Sequence, residues 1–135
     1  MIDRWIAPFF TESDLFQKID FISHAGIPMH YKIECDAING REWDALAVMI
    51  MEYQKEPFGK VLGIPRGGIP LQKALEPYAT GKDTDPTLVV DDVYSTGTSF
   101  KEFCGEDDTD TIKWVVFARQ PTENGVRALF TMPGK

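Results

Sequence analysis

Residues 88–99, which read Leu-Val-Val-Asp-Asp-Val-Tyr-Ser-Thr-Gly-Thr-Ser, constrain this chain more than any other stretch. Leu88, Val89 and Val90 are consecutive apolar residues rather than alternating ones, which predicts a strand covered on both faces, as in a parallel sheet. Asp91 and Asp92 follow at its carboxyl end, the edge at which an open α/β sheet binds ligands. Ser95, Thr96, Gly97, Thr98 and Ser99 then form a turn able to wrap one phosphate with hydroxyls and backbone N–H groups. Gly97 lets the backbone approach without a Cβ in the way, and the helix predicted from about Thr98 turns its positive end to the same place. Two carboxylates would repel a phosphate but accept hydrogen bonds from neutral hydroxyls beside it. A ribose 5-phosphate carries both groups. The plainer reading of the same residues is a buried strand followed by a capped helix.

A second loop has the same placement. Residues 60–64 predict a strand, and Pro65, Arg66, Gly67, Gly68 and Ile69 follow it immediately before a helix over 70–78, in which Pro70 suits the first turn. The paired glycines expose successive N–H groups, and Arg66 adds a charge-assisted donor fork suited to phosphate oxygens. Taken alone, a tight turn that needs glycine for its geometry explains this loop equally well.

Around these loops the chain alternates strands and helices. Trp43, Leu46, Ala47, Ile50 and Met51 recur at helical spacing and predict an amphipathic helix over 41–54 whose stripe is core. A helix is predicted over 99–104, a β-prone strand over 111–118 and an edge strand over 126–132, with the acidic residues 106–110 as a solvated loop. Nearer the N-terminus, residues 1–10 read as an arm. Residues 11–14 open a predicted helix with Leu15, Phe16, Ile19 and Ile22 on one face, ended by residues 24–28, and residues 31–35 alternate as a short strand. The pattern predicts an α/β fold: a central, mainly parallel sheet flanked by helices, with a small N-terminal hood over residues 1–40 and a core over 41–135. At 135 residues this is expected to be one compact domain.

A net charge of −7 argues against a nucleic-acid or membrane-surface partner, while a small phosphorylated ligand held by local amides stays compatible. Two cysteines and no recognisable leader or membrane span are expected of a cytoplasmic protein. Apolar surface left by the small hood predicts a homodimer.

Residues 89–99 resemble the 5-phosphoribosyl-1-diphosphate (PRPP) motif of the type I phosphoribosyltransferases, and Arg66-Gly67-Gly68 resembles the loop that binds the diphosphate of PRPP in that family. The resemblance implies that Ser95 to Ser99 anchor the 5-phosphate, that Asp91 and Asp92 fix the ribose hydroxyls, and that a non-proline cis peptide lies near Arg66. It also implies Mg²⁺, carried by the diphosphate and ribose oxygens with no direct protein ligand beyond the neighbourhood of Asp91 or Asp92. Residues 21–31 and Ala118-Arg119-Gln120 are similar to segments of the orotate branch, which implies base-reading roles for Arg119, His24 and Lys32. In the hood segment Ala25 replaces a serine of that branch and His24 a lysine. Residues 117–121 fit the corresponding run of the xanthine and guanine enzymes nearly as well, so an orotate-like base stands first and a 6-oxopurine second. The long basic closing loop of the orotate enzymes is reduced here to residues 79–86, with Lys82 as its single cation and candidate catalytic lysine. The activity implied is Mg²⁺-dependent transfer of ribose 5-phosphate from PRPP to a nucleobase. The alternative is a noncatalytic PRPP- or nucleotide-binding module.

Overall fold

The structure, a computed structural model, describes residues 14–23, 26–105 and 110–133. The expected arm and most of the acidic loop lie outside them. The chain divides between Asn39 and Gly40 into two compact units.

In the first unit, β1 (Phe16–Ile22) and β2 (Pro28–Ile33) pair antiparallel, with Phe16 opposite Ile33, Ile22 opposite Pro28 and a bulge between Lys18 and Phe21. This corrects the helix expected from residue 11 onward. Phe16, Ile19 and Ile22, which share a helical spacing, are 51%, 37% and 66% exposed, so no stripe is buried. The turn prevails over the spacing: Ser23 N donates to Ile27 O at 3.0 Å, Ile27 N donates to Ser23 Oγ at 3.1 Å, and Gly26 takes φ +78°. That turn sends β2 back along a segment rich in aromatic and β-branched residues, which suit a ladder. Pro28 therefore begins a strand, and Cys35 falls in a 3₁₀ turn (Cys35–Ala37) instead of the strand expected there.

The second unit begins with α1 (Gly40–Tyr53), whose Trp43, Leu46, Ala47 and Ile50 are buried as the spacing predicts. β3 (Lys60–Gly63), α2 (Ile69–Leu75), a 3₁₀ turn (Glu76–Tyr78), β4 (Thr87–Tyr94), α3 (Thr98–Cys104), β5 (Ile112–Ala118) and β6 (Val126–Thr131) follow. The four strands form one parallel sheet in the order β3-β4-β5-β6. Leu88, Val90, Val115 and Val116 are wholly buried, which is what consecutive apolar residues in a covered parallel strand require. Phe100 of α3 packs with Val89, Val115, Val126, Ile64 and Tyr94, and each such buried side chain stabilises the fold by about 1.5–3 kcal/mol.

One connection is unusual. β5 and β6 are parallel, yet only residues 119–125 join them and no helix intervenes. This strap is held by Glu123 N donating to Tyr94 Oη at 3.2 Å and Lys113 Nζ donating to Asn124 O at 3.4 Å. It ends in Asn124 and Gly125 at φ 56° and 77°. Elsewhere, Gln54 at the end of α1 accepts hydrogen bonds on one oxygen from the buried Trp114 Nε1 (2.9 Å) and from Arg127 Nη1 (3.0 Å), tying that helix to β5 and β6.

Candidate functional site

β4 is longer than its apolar run. It continues through Asp91, Asp92 and Val93 to Tyr94, with Asp91 opposite Val115 and Tyr94 opposite Ala118. The carboxylates are thus carried on the end of the ladder instead of hanging beyond it, which fixes the backbone that bears them. Asp91 is buried and Asp92 half-buried. The Asp92 N–H donates to Asp91 Oδ1 at 2.9 Å, and the Val93 N–H donates to Asp92 Oδ1 at 2.7 Å. Burial, and then the neighbouring Asp92 carboxylate, push the Asp91 carboxyl up to about 8. At neutral pH the Asp91 carboxyl therefore mostly keeps its proton, which removes a negative charge from this edge.

The loop after β3 meets this pair. Ile64 N donates to Val90 O at 2.9 Å, extending the β3–β4 ladder past Gly63, and Gly68 N donates to Ile64 O at 2.8 Å to close the turn. A Cβ on Gly68 would meet Val90 O at 2.5 Å and Ile64 N at 2.7 Å, so glycine is required by backbone on both sides. A Cβ on Gly67 would collide with the Asp92 carboxylate. The Pro65–Arg66 peptide is cis, where the resemblance places a non-proline cis bond, and Arg66 is exposed. Gln72 of α2, which carries no signal in the sequence, accepts from Gly63 N at 2.7 Å and holds the base of the loop.

Gly97 takes φ +84° directly before α3. Ser95, Thr96, Thr98 and Ser99 are exposed around it, and the Thr96 and Thr98 hydroxyls lie 2.9 Å apart. Both loops leave the carboxyl ends of adjacent parallel strands, and Gly67 of the first lies against the Asp92 carboxylate.

No protein-family model matches this chain, and no curated protein matches it. Solved structures do. An orotate phosphoribosyltransferase from Aeropyrum pernix superposes with a TM-score of 0.65 over 98% of this chain and 94% of its own, at 17% identity. This is the fold of the type I phosphoribosyltransferases. A Mycobacterium tuberculosis orotate phosphoribosyltransferase agrees with a TM-score of 0.62 at 13% identity, over 90% of this chain and 91% of that one. The UMP synthase of Leishmania donovani gives 0.70 at 13% identity over 90% of this chain, which spans 34% of that longer protein.

On this phosphoribosyltransferase fold the remaining candidates are not all together. Arg119 directly follows β5, its side chain is buried, and its N–H donates to Tyr94 O at 2.8 Å, which puts it on the same edge as the two loops. Lys82 is on the opposite edge, in keeping with a loop too short to reach across the cleft. Thr80 N donates to Phe58 O and Gly81 N to Gly59 O, both 2.9 Å, and the Lys82 carbonyl lies over Gly59 before the start of β3. Thr80 Oγ1 donates to Asp85 Oδ2 at 2.6 Å and folds residues 79–86 into a closed turn there. From Gly59 to Ile64 the chain advances about 16 Å, beyond the reach of a lysine side chain anchored at the far end. Lys32 lies on β2 of the first unit, where its Nζ is 2.8 Å from Glu34 Oε2 and holds the Glu34 carboxyl below its ordinary value. His24 lies outside the described residues. Among the described residues no group of three or more His, Cys, Asp or Glu could hold a metal ion, and no helix is long and apolar enough to cross a membrane.

Tyr94, to which the sequence assigns no role, joins these segments. Only 4% exposed, it supplies the carbonyl that Arg119 N bonds, the hydroxyl that Glu123 N bonds, and the ring against which Gly97 is seated. A bulky aromatic inside an otherwise small, polar loop motif was its only signal.

Proposed function

We propose that this protein binds PRPP with Mg²⁺ and transfers its ribose 5-phosphate to a nucleobase, releasing diphosphate, with an orotate-like base ahead of a 6-oxopurine. The observation that supports this reading is the approach of Gly67 to the Asp92 carboxylate, which brings the Arg66 to Gly68 loop beside the Asp91 and Asp92 carboxyls on one sheet edge. The Gly67 and Gly68 region and Arg66 receive the diphosphate, and the exposed hydroxyls of Ser95 to Ser99 receive the 5-phosphate, converting remote binding energy into orientation at C1. Asp92 accepts from a ribose hydroxyl, while the proton held on Asp91 lowers the repulsion that two carboxylates would exert on an anionic substrate. As the C1–oxygen bond to diphosphate breaks and a base nitrogen attacks, Arg66 faces the charge growing on the leaving group. Arg119 offers a planar fork to an anionic base.

The donor set suits a metal carried mostly by its ligand. No cluster of carboxylates that could cage a metal lies among the described residues, and Mg²⁺ characteristically keeps several waters and is held largely by substrate phosphates, with Asp91 and Asp92 beside it and not on it. When bound, it would neutralise diphosphate charge.

The position of Lys82 favours a second reading, a noncatalytic module that grips PRPP or a nucleotide without turning it over. One experiment separates the two. The protein is incubated with PRPP, Mg²⁺ and a panel of bases while diphosphate release is followed, and PRPP binding is measured by calorimetry. Release with orotate alone supports the transferase; binding without release for any base supports the module; no binding refutes both.

A further inference from the structure

The strap 119–125 and the phosphate loop 95–99 are separated by β5 in sequence, yet one side chain joins them. Tyr94 closes β4 with its main-chain carbonyl accepting from Arg119 N at 2.8 Å, so the residue that begins the strap is bonded to the residue that begins the phosphate loop. Its phenolic oxygen accepts from Glu123 N at 3.2 Å, four residues further along the same strap. The same hydroxyl lies 2.8 Å from where a Cβ on Gly97 would stand, and two ring carbons lie at 3.1 Å. The left-handed Gly97 is therefore seated on the phenol, and nothing larger than glycine fits between them. Phe100 holds the ring from α3 with centroids 6.5 Å apart, so the phenol has little freedom to swing away.

These contacts make Tyr94 a two-ended brace. Any movement of the 95–99 loop that shifts Gly97 pushes on the hydroxyl that anchors Glu123, and any movement of the strap pulls on the hydroxyl beneath Gly97. We propose that Tyr94 is a positioning residue that couples the 5-phosphate subsite to the strap carrying Arg119, so that seating a sugar phosphate orders the base-facing side of the cleft. This rests on the reading that residues 95–99 hold a phosphate. The phenol acts through Gly97 and Glu123 and touches no reacting atom. It also follows that the hydroxyl, and not the bulk of the ring, transmits the effect, because within the side chain only the hydroxyl bonds the strap.

Tyr94→Phe keeps the ring against Phe100 and Gly97 and deletes the bond to Glu123. Two measurements test the brace, with ribose 5-phosphate as the probe. By calorimetry the variant binds ribose 5-phosphate about five- to tenfold more weakly than the parent, the loss expected when one buried hydrogen bond that shapes a site is removed. By amide hydrogen exchange, ribose 5-phosphate slows exchange in residues 119–125 of the parent protein, and Tyr94→Phe abolishes that slowing while the exchange of β4 and β5 is unchanged. A merely structural role would change melting and leave both readouts alone. Equal affinity in the two proteins, or a strap whose exchange ignores ribose 5-phosphate in the parent, overturns the coupling and leaves the proposed function standing. A parent protein that does not bind ribose 5-phosphate at all overturns both.

Discussion

The proton on Asp91 should be visible as a pH-dependent loss of stability. In the folded protein this carboxyl is pushed up to about 8 by burial and by Asp92, against 3.8 for an ordinary aspartate. Below about pH 4 both folded and unfolded chains hold the proton. Between about 4 and 8 the folded chain holds one proton more than the unfolded chain, so stability falls as pH rises, and above about 8 both have released it. The slope for one such proton is about 1.4 kcal/mol per pH unit, or about 2.7 kcal/mol between pH 5 and pH 7. Asp91→Asn removes the titration while its side-chain oxygen can still accept from Asp92 N. Urea unfolding of both proteins at unit steps from pH 5 to pH 9 isolates the effect, because every other titrating group is shared. The variant gains on the parent by about 1.4 kcal/mol per unit up to pH 8, and the difference is flat beyond. Parallel stability curves across pH 5–8 would refute a protonated Asp91 and, with it, the reduced charge assigned to the pair.

The two loop glycines should fail in different ways. Gly68→Ala drives a Cβ into backbone on both sides and is expected to destabilise the fold by about 2–3 kcal/mol in urea titrations. Gly67→Ala meets only the Asp92 carboxylate, which can rotate, so stability stays within about 1 kcal/mol while ribose 5-phosphate affinity drops, as calorimetry would report. Lys82→Ala should leave PRPP affinity and any diphosphate release within twofold of the parent, since the closed turn sits at the other edge of the sheet; a tenfold loss in either assay would return Lys82 to the site.

Much of the core was legible because its signals are local. Consecutive Leu88, Val89 and Val90 can only be satisfied between two covered faces, and Trp43, Leu46, Ala47 and Ile50 repeat at the helical period. The two candidate loops were legible for a related reason: a strand followed by glycines and a helix leaves one place for the loop to go. The hairpin was not, since Phe16, Ile19 and Ile22 fit a helix equally well and only the return of β2 through the Gly26 turn decides. Nor was the place of Lys82, which depends on where a short connection folds, here settled by Thr80, Asp85 and the backbone of Phe58 and Gly59. Tyr94 and Gln72 act through partners distant in sequence, Glu123 and Gly63, and no spacing rule announces such a pairing.

The strap between β5 and β6 also shows what does and does not hold the last strand in place. Eight Cα–Cα steps separate Ala118 from Val126, at most about 29 Å of extended chain. They must run back about 17 Å to bring Val126 level with Lys113 and cross sideways as well, with a left-handed turn at Asn124 and Gly125 consuming part of the length. The direct span is about 18 Å, so about 11 Å of chain is left for the turn, and the register of β6 is held by its own contacts and not by chain length. A slip of β6 by one step along β5 would turn its faces over. Arg127 would leave Gln54, and Phe130 would leave the ring of Phe117 on which it now stacks at 5.7 Å. Those contacts, and not the strap, keep the register, so residues added to the strap could bulge out and leave it intact.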